Sequence, residues 1–444
     1  MGLTRLFHRY DPRNEFSSFF RGYNRRQLPA KDICDTLKKE HMQTELTVLD
    51  LFCGAGGLSL GFKNANFKTI CAIDHNRAAL DTYSKNIGDH AKARDLHGDT
   101  DLPEASVIIG GPPCQGFSSA GMRRNGDKRN SLVACFAETV ARLRPRAFLF
   151  ENVEGFLTAE NGERVVDLLE PLLGAGYRIH LQKVNAANYG VPQHRKRVIA
   201  IGGRGWEPTF PEPTHTAFGA PGALLASKHL PLAPTVIESI GDLPSATTVP
   251  PGNVPGHWFR PLDGADLERA EAMAAGMTMR DIPENLHHPS YRRRAFRRVM
   301  DGTPTERRGG APAGLRRLRP DEPSKSITGG ARSEFLHPVE HRGLTIRECA
   351  RLQTFPDSFE FCGTPTEQDQ LIGNAVPPKL AFVFASSLKD DLMKRGSDSK
   401  EEGALLSFVL TRSDGASPAL RHVSELVNKT FERYVTAEEL SLWP

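Results

Sequence analysis

The chain has 444 residues, too many for one ordinary hydrophobic core, so two domains are expected. Its 39% hydrophobic and 25% charged residues fit a soluble globular protein, and no apolar run approaches the roughly 20 residues that a membrane helix needs. A net charge of +4 excludes a general polycation, so any nucleic-acid surface must be a local patch.

The opening MGLTRLFHRY has no apolar stretch followed by a small-residue cleavage site, so no secretory leader is expected. Seven cysteines are scattered without a CxxC pair, which argues against a disulfide framework or a zinc site. A reducing compartment, the cytoplasm, is therefore expected, with no bound metal. Residues 1–45 are polar and basic without a clear period and read as an N-terminal extension.

From residue 46 short apolar runs alternate with Gly, Asn and Asp. Residues 48–52, 69–73, 107–109, 147–150 and 198–201 read as buried strands, with 179–184 a weaker sixth. Residues 164–173 have a helical pattern, with Val165, Leu168, Leu169 and Leu172 apolar and Gly174 or Gly176 ending it. Alternating strands and helices imply an α/β fold with a parallel sheet covered on both faces.

The segment VLDLFCGAGGLSLGF (48–62) is a strand, a Gly-rich turn and a helix start. Gly54, Gly56 and Gly57 let the backbone approach a ligand without Cβ clashes, and the helix start offers free N–H groups. Asp74 follows about 20 residues on, where nucleotide-binding folds place an acid for ribose hydroxyls. The glycines do not fit GxGxxG, so the segment by itself says "nucleoside cofactor on an open α/β sheet".

The next strand runs into VIIGGPPCQGFSSAG (107–121). Ligands sit beyond the carboxyl ends of such strands, which puts Cys114 on a loop at the active edge. A cysteine there is placed to react as a thiolate, whereas Cys34, Cys71, Cys135 and Cys349 read as small core hydrophobes. The strand 147–150 ends in Glu151-Asn152-Val153, a poorly solvated carboxylate at the same edge, suited to donating a proton. In Gln193-His194-Arg195-Lys196-Arg197, Arg195 and Arg197 alternate and can share one face, suiting phosphate or base-oxygen binding.

Around residue 204 the pattern changes. Residues 204–262 are rich in Pro and Gly, and a second, smaller, irregular or β-rich domain is expected over 205–340. Its charges balance, with 16 basic and 16 acidic residues, but 291–320 holds ten arginines against Asp301 and Glu306. Arg292, Arg293, Arg294, Arg297, Arg298, Arg316 and Arg317 are therefore candidates for nucleic acid, mostly for phosphates. Helical pattern returns at 345–354 and at about 379–393. After 394 comes the linker-like KRGSDSKEEG and an amphipathic segment near 419–433, read as a C-terminal tail over 395–444.

Together, DLFCGAGG, GGPPCQGFS, ENV, QHRKR, RGLTIRECARLQTFP (342–356) and QLIGNAVPP (370–378) resemble the DNA cytosine-5 methyltransferase family, in that family's order, from about 47 to 394. The resemblance implies a Rossmann-like S-adenosylmethionine-dependent catalytic domain over 46–204, completed by 361–394. It implies a target-recognition domain over 205–340 and a supporting segment over 341–360, where Arg347, Glu348 and Arg351 look structural. The cofactor would meet Phe52 and the turn through Gly54, Ala55, Gly56 and Gly57, with Asp50, Leu58 and Pro112 nearby. Asp74 would take the ribose hydroxyls, where the family more often has Glu, and His75 would lie against the adenine. Asp95 would bind the adenine amino group, with Asp99 a rival. Asn374 and Val376 would close the pocket, so the last helix should pack back onto the catalytic domain.

The resemblance also implies a mechanism. Cys114 adds to cytosine C6, protonated Glu151 holds N3, Arg197 holds O2 and Arg195 supports the loop and phosphate. Gln115 and Ser118 lie on the loop that closes over a base flipped out of duplex DNA. A monomer is expected, acting as the modification enzyme of a type II restriction-modification system with a possible cognate restriction endonuclease on the same site. Three rival readings are a tRNA cytosine-5 methyltransferase, a catalytically silent DNA-binding regulator and a small-molecule methyltransferase; the arginine-rich insert favours duplex DNA over the first, the intact Cys114, Glu151, Arg195 and Arg197 speak against the second, and the third would not need residues 205–340 or the Pro-Pro-Cys loop.

Overall fold

The apolar runs of the N-terminal half all become strands of one sheet. The structure is a computed structural model that describes residues 45–113, 132–216, 229–248, 253–289, 291, 315–394, 403–409 and 418–434. The strands are β1 (Thr47–Leu51), β2 (Lys68–Asp74), β3 (Ala91–Ala93), β4 (Val107–Gly110), β5 (Ala147–Val153), β6 (Tyr177–Asn185), the two-residue β7 (Gln193–His194) and β8 (Lys196–Arg204). Between them lie α1 (Gly57–Asn64), α2 (Arg77–Asn86), α3 (Leu132–Leu143) and α4 (Glu163–Gly174). Later in the chain come α5 (Val236–Ile240), α6 (Gly264–Ala272), β9 (Arg316–Arg317), β10 (Ser324–Lys325), β11 (Phe335–Leu336), α7 (Ile346–Leu352), α8 (Pro365–Asn374), α9 (Pro378–Lys394), β12 (Leu405–Val409) and α10 (Pro418–Thr430).

The sheet order is β12-β6-β8-β5-β4-β1-β2-β3. β1 pairs in parallel with β2 on one side and β4 on the other, so the order reverses between β1 and β4. Such a reversal opens a crevice at the carboxyl ends of the strands, where ligands bind in open α/β sheets. The Gly-rich turn after β1 and the Gly-Gly-Pro-Pro loop after β4 both leave the sheet there.

Period-2 alternation sends side chains to two cores. Leu49, Leu51, Ile108, Phe148 and Phe150 face a cluster with α3 and α4. Val48, Val107, Ile109, Ala147 and Leu149 face another with Phe62 of α1 and Leu380, Phe384 and Leu388 of α9. The last helix thus packs back onto the catalytic sheet, as expected from its motif. The helical stretch 365–394 is apolar and long enough to cross a membrane, but it is mostly buried in this core. Cys71, Cys135 and Cys349 are buried core residues, as read from the sequence; Cys34 lies outside the described residues.

Two expectations need correction. The sheet is not wholly parallel, because β8 runs antiparallel to both β5 and β6. Only ten residues separate β6 from β8, and a parallel crossover needs about a dozen or more. The tail is not a mere appendage either. β12 joins the sheet beside β6, from Leu405 opposite Arg178. Leu406, Phe408, Val423, Val427 and Phe431 are buried in the same cluster as α3 and α4.

The described residues from Leu46 onward form one compact unit. Within it, the stretch expected as a smaller domain has a core of its own, built from Ala270, Met273, Met279, Ile282 and Leu336. A larger core joins Val236, Leu318 and Phe335 to Ile346, Leu352, Phe355 and Ile372.

Candidate active site

The Gly-rich turn is shaped by left-handed backbone. Phe52, Gly54 and Gly56 have φ of 63°, 53° and 90°. A Cβ on Gly57 would lie 2.1 Å from the Val376 carbonyl oxygen, so only glycine lets the C-terminal motif close on this turn. Val376 is buried and Asn374 is exposed at the end of α8, so the structure brings the segment 374–376 to the turn as expected. Around Gly54, by contrast, an added Cβ would meet nothing within 4 Å.

Asp74 ends β2 and ties the turn down. Its Oδ2 accepts from Gly54 N–H at 2.9 Å and its Oδ1 from Asn76 N–H at 2.8 Å. His75 is exposed, with Nδ1 3.7 Å from Asp74 Oδ1. Asp95 and Asp99 are both exposed in the segment after β3, flanking buried Leu96.

Asp50 lies in the middle of the sheet, wholly buried. Its Oδ2 accepts from Ser59 Oγ at 2.6 Å, and its buried Oδ1 has no hydrogen-bond partner among the described residues. Burial, with a smaller push from Asp74 and opposed by the Ser59 hydrogen bonds, raises its carboxyl to about 7. The turn thus combines an open approach at Gly54, a buried carboxylate oxygen without a hydrogen-bond partner among the described residues, and a mostly buried acid at Asp74. That donor set fits a nucleoside ligand with a cationic amino-acid end, as S-adenosylmethionine has.

The second loop meets the first at the crevice. Gly111 follows β4, and a Cβ on it would come within 3.0 Å of Glu151 Oε2, so the glycine admits the carboxylate. The buried Asn152 Nδ2 donates to Pro112 O at 2.9 Å, a tie that its sequence position did not announce. Cys114, Gln115 and Ser118 lie outside the described residues, as do Arg292, Arg293, Arg294, Arg297 and Arg298.

Glu151 and Arg197 are brought together by register. Arg197 pairs with Val153 across the β5–β8 ladder, so Glu151, two residues back, is its diagonal neighbour on the same face. Arg197 Nε lies 2.7 Å from Glu151 Oε1, with both side chains about nine-tenths buried. Arg195 does not share this role. It is completely buried, and its guanidinium donates to the carbonyls of Ile327, Gly373 and Ala375 at 2.7, 2.7 and 2.9 Å. Placing it in the catalytic set is therefore corrected: it clamps the backbone at Ile327 and the C-terminal motif at Gly373 and Ala375 against β7. Gln193, also buried, does the same by donating to Leu352 O and accepting from Ile327 N–H.

The two described arginines of the basic block separate. Arg316 lines a cavity of about 250 Å³ with Thr278, Arg319 and Lys325. Arg317 is 3% exposed and donates to the carbonyls of Met273, His337, Glu340 and Ala270. Its assignment to DNA is corrected, because those carbonyls use up the donors a phosphate would need. Arg347 is likewise buried, donating to Pro255, Pro356 and Phe359 carbonyls, and Glu348 caps α7 and pairs with Arg342 at 2.7 Å. These two are structural, as read from the sequence.

A family model described as C-5 cytosine-specific DNA methylase matches residues 46–390. The chain belongs to that family. It is 35% identical over 356 residues to the type II methyltransferase M1.HphI of Haemophilus parahaemolyticus, covering 77% of this chain and 86% of that one. It is 32% identical over 427 residues to the type II methyltransferase M.AgeI of Thalassovita gelatinovora, covering 78% and 99%. Among solved structures, one described as a DNA modification methyltransferase encoded within a prophage (E. coli) matches with a TM-score of 0.52 at 25% identity, covering 79% of this chain and all of that one. This methylase is thus a DNA (cytosine-5) methyltransferase with a Rossmann-like sheet, and its crevice at the β1–β4 reversal is the candidate active site.

Proposed function

We propose that this methylase places a methyl group on C5 of a cytosine flipped out of a specific duplex sequence, through a covalent adduct of Cys114 with C6. The observation that carries the reading is the buried Glu151–Arg197 pair beside the loop that leads to Cys114. Cytosine C5 is a weak nucleophile. Addition of the Cys114 thiolate to C6, with Glu151, having taken up a proton from solvent, giving it to N3, makes the ring enamine-like and C5 electron-rich. Arg197 holds O2 and keeps Glu151 in place. S-adenosylmethionine, when bound, supplies the electrophilic methyl group that C5 takes. Loss of the C5 proton to solvent and elimination of Cys114 as the thiolate, with N3 returning its proton to Glu151, then restore the aromatic ring. The target must leave the stack for this chemistry, which costs a few kcal/mol.

The cofactor is held by the turn from Phe52 to Leu58, by Asp50, Asp74 and His75, and by Asn374 and Val376 from the C-terminal side. Residues 205–340 act as the target-recognition domain. The relatives named above are type II methyltransferases, which supports a modification enzyme of a type II restriction-modification system acting on cytoplasmic DNA.

The test is methyl transfer from labelled S-adenosylmethionine to duplex DNA and to tRNA, with bisulfite sequencing of DNA from expressing cells. Transfer confined to DNA at one recurring sequence is expected. A Cys114→Ser protein should bind DNA and cofactor and transfer nothing; retained transfer sinks the covalent mechanism, and transfer confined to tRNA sinks the substrate.

A further inference from the structure

A buried chain of hydrogen bonds leads from Asp50 to His90. Ser59 Oγ donates to Asp50 Oδ2 at 2.6 Å, Tyr83 Oη donates to Ser59 Oγ at 2.8 Å, and His90 Nε2 lies 2.9 Å from Tyr83 Oη. Asp50, Ser59 and Tyr83 are all fully buried, on β1, α1 and α2 in turn. With Asp50 ionised, donor counting sets the direction of every proton. A carboxylate only accepts, so Ser59 spends its one O–H on Asp50, Tyr83 spends its own on Ser59, and His90 must present Nε2–H to Tyr83. All the bonds therefore polarise toward Asp50 and strengthen one another.

The chain satisfies one carboxylate oxygen and leaves the other buried without a partner among the described residues. The titratable groups facing Asp50 and its hydroxyl partners are Asp74 from β2, Cys53 from the turn, Tyr83 from α2 and His90 beyond it, with Lys63 of α1 and Asp89 acting on His90 at the far end. No lysine or arginine among the described residues acts on Asp50 itself. An arginine in place of Ser59 would neutralise Asp50; a hydroxyl orients it and leaves its charge uncompensated.

We propose that Ser59 and Tyr83 are positioning residues of the cofactor site, holding Asp50 as an anion whose Oδ1 is kept for the ammonium group of the amino-acid end of the methyl donor. This rests on the reading of the Gly-rich turn as the cofactor cradle. Tyr83 is held in place from two sides. A Cβ on Gly56 would lie 2.9 Å from its ring, and His90 meets the ring edge-on at 5.3 Å.

The test is titration calorimetry of the full chain with S-adenosylmethionine between pH 5.5 and 8.5, alongside steady-state kinetics. Ser59→Ala is expected to weaken binding roughly tenfold at pH 7, the worth of a hydrogen bond to a charged group, and Tyr83→Phe, which removes the hydroxyl-to-hydroxyl bond one step back, roughly threefold. Each should raise KM for the methyl donor with kcat little changed. Losing a donor to the anion favours the protonated acid, so the pH at which binding fails on acidification should move up by about one unit. Ser59→Thr, which keeps the hydroxyl, should restore both. Tyr83→Phe keeps the buried ring and carries the test if Ser59→Ala does not fold. Unchanged affinity and pH profile in a folded Tyr83→Phe protein overturn the positioning role. Asp50→Asn separates the two levels: if it binds the methyl donor normally, the cradle reading of Asp50 itself fails, whereas lost binding in Asp50→Asn with normal binding in Ser59→Ala and Tyr83→Phe removes only the positioning role.

Discussion

Arg197 Nε sits 2.7 Å from Glu151 Oε1, across a ladder in which Arg197 pairs not with Glu151 but with Val153. The diagonal placement lets the guanidinium hold the carboxylate from the side. Both charges are nearly buried, so each depends on the other.

Removing one partner should therefore cost more than removing both. Arg197→Met is expected to destabilise the protein by about 3–5 kcal/mol, because it strands a buried carboxylate. Glu151→Gln with Arg197→Met should recover much of that loss while remaining inactive. Urea denaturation of the two single variants and the double variant measures the coupling; additive losses would refute it.

Arg316 and Arg317 should respond in opposite ways. Arg316→Ala is expected to lower the slope of log K against log salt for DNA binding by about one phosphate equivalent, with little change in melting temperature. Arg317→Ala should leave the slope alone and destabilise the fold, since four carbonyls lose their donor. A salt titration by fluorescence anisotropy and a thermal melt on each variant decide this.

Asp50 makes the ligand-free protein sensitive to pH. Its carboxyl is raised by burial from 3.8 to about 7 in the folded state. Between about pH 4 and pH 7 the unfolded chain releases a proton that the folded chain keeps, so this group's stabilising contribution is full below that window and lost as pH rises through it. The loss is on the order of 4 kcal/mol. Asp50→Asn should remove it, so the stability of the variant relative to wild type should climb by that amount from pH 4 to pH 8 and then level off. A pH-independent difference between the two proteins would rule this out.

Ending the chain at Lys394 should ruin the fold. It removes Leu406, Phe408, Val423, Val427 and Phe431 from the core, on the order of 10 kcal/mol of apolar burial, about as much as a whole domain's net stability. It also bares the edge of β6 for pairing with other chains. Aggregation in size-exclusion chromatography is expected; a monomer with unaltered melting would show the tail to be dispensable.

Much of this site is local and so could be read from the residues alone. The turn glycines, the apolar strand runs and the positions of Glu151 and Arg197 at strand ends depend on φ, on side-chain period and on neighbours a few residues away. The order of six motifs along the chain carried the family and the methyl donor. Tertiary structure decided what local rules cannot reach. Arg195 and Arg317 look like any other arginines until buried carbonyls from distant segments claim them. Ser59 and Tyr83 are 24 residues apart and come into contact only when α1 and α2 pack over β1. The direction of β8 came from a connection too short to cross over, and the place of β12 from an open sheet edge beside β6. Burial and partner choice are properties of the assembled chain, and a buried polar group takes its role from whichever donors and acceptors the fold leaves within reach.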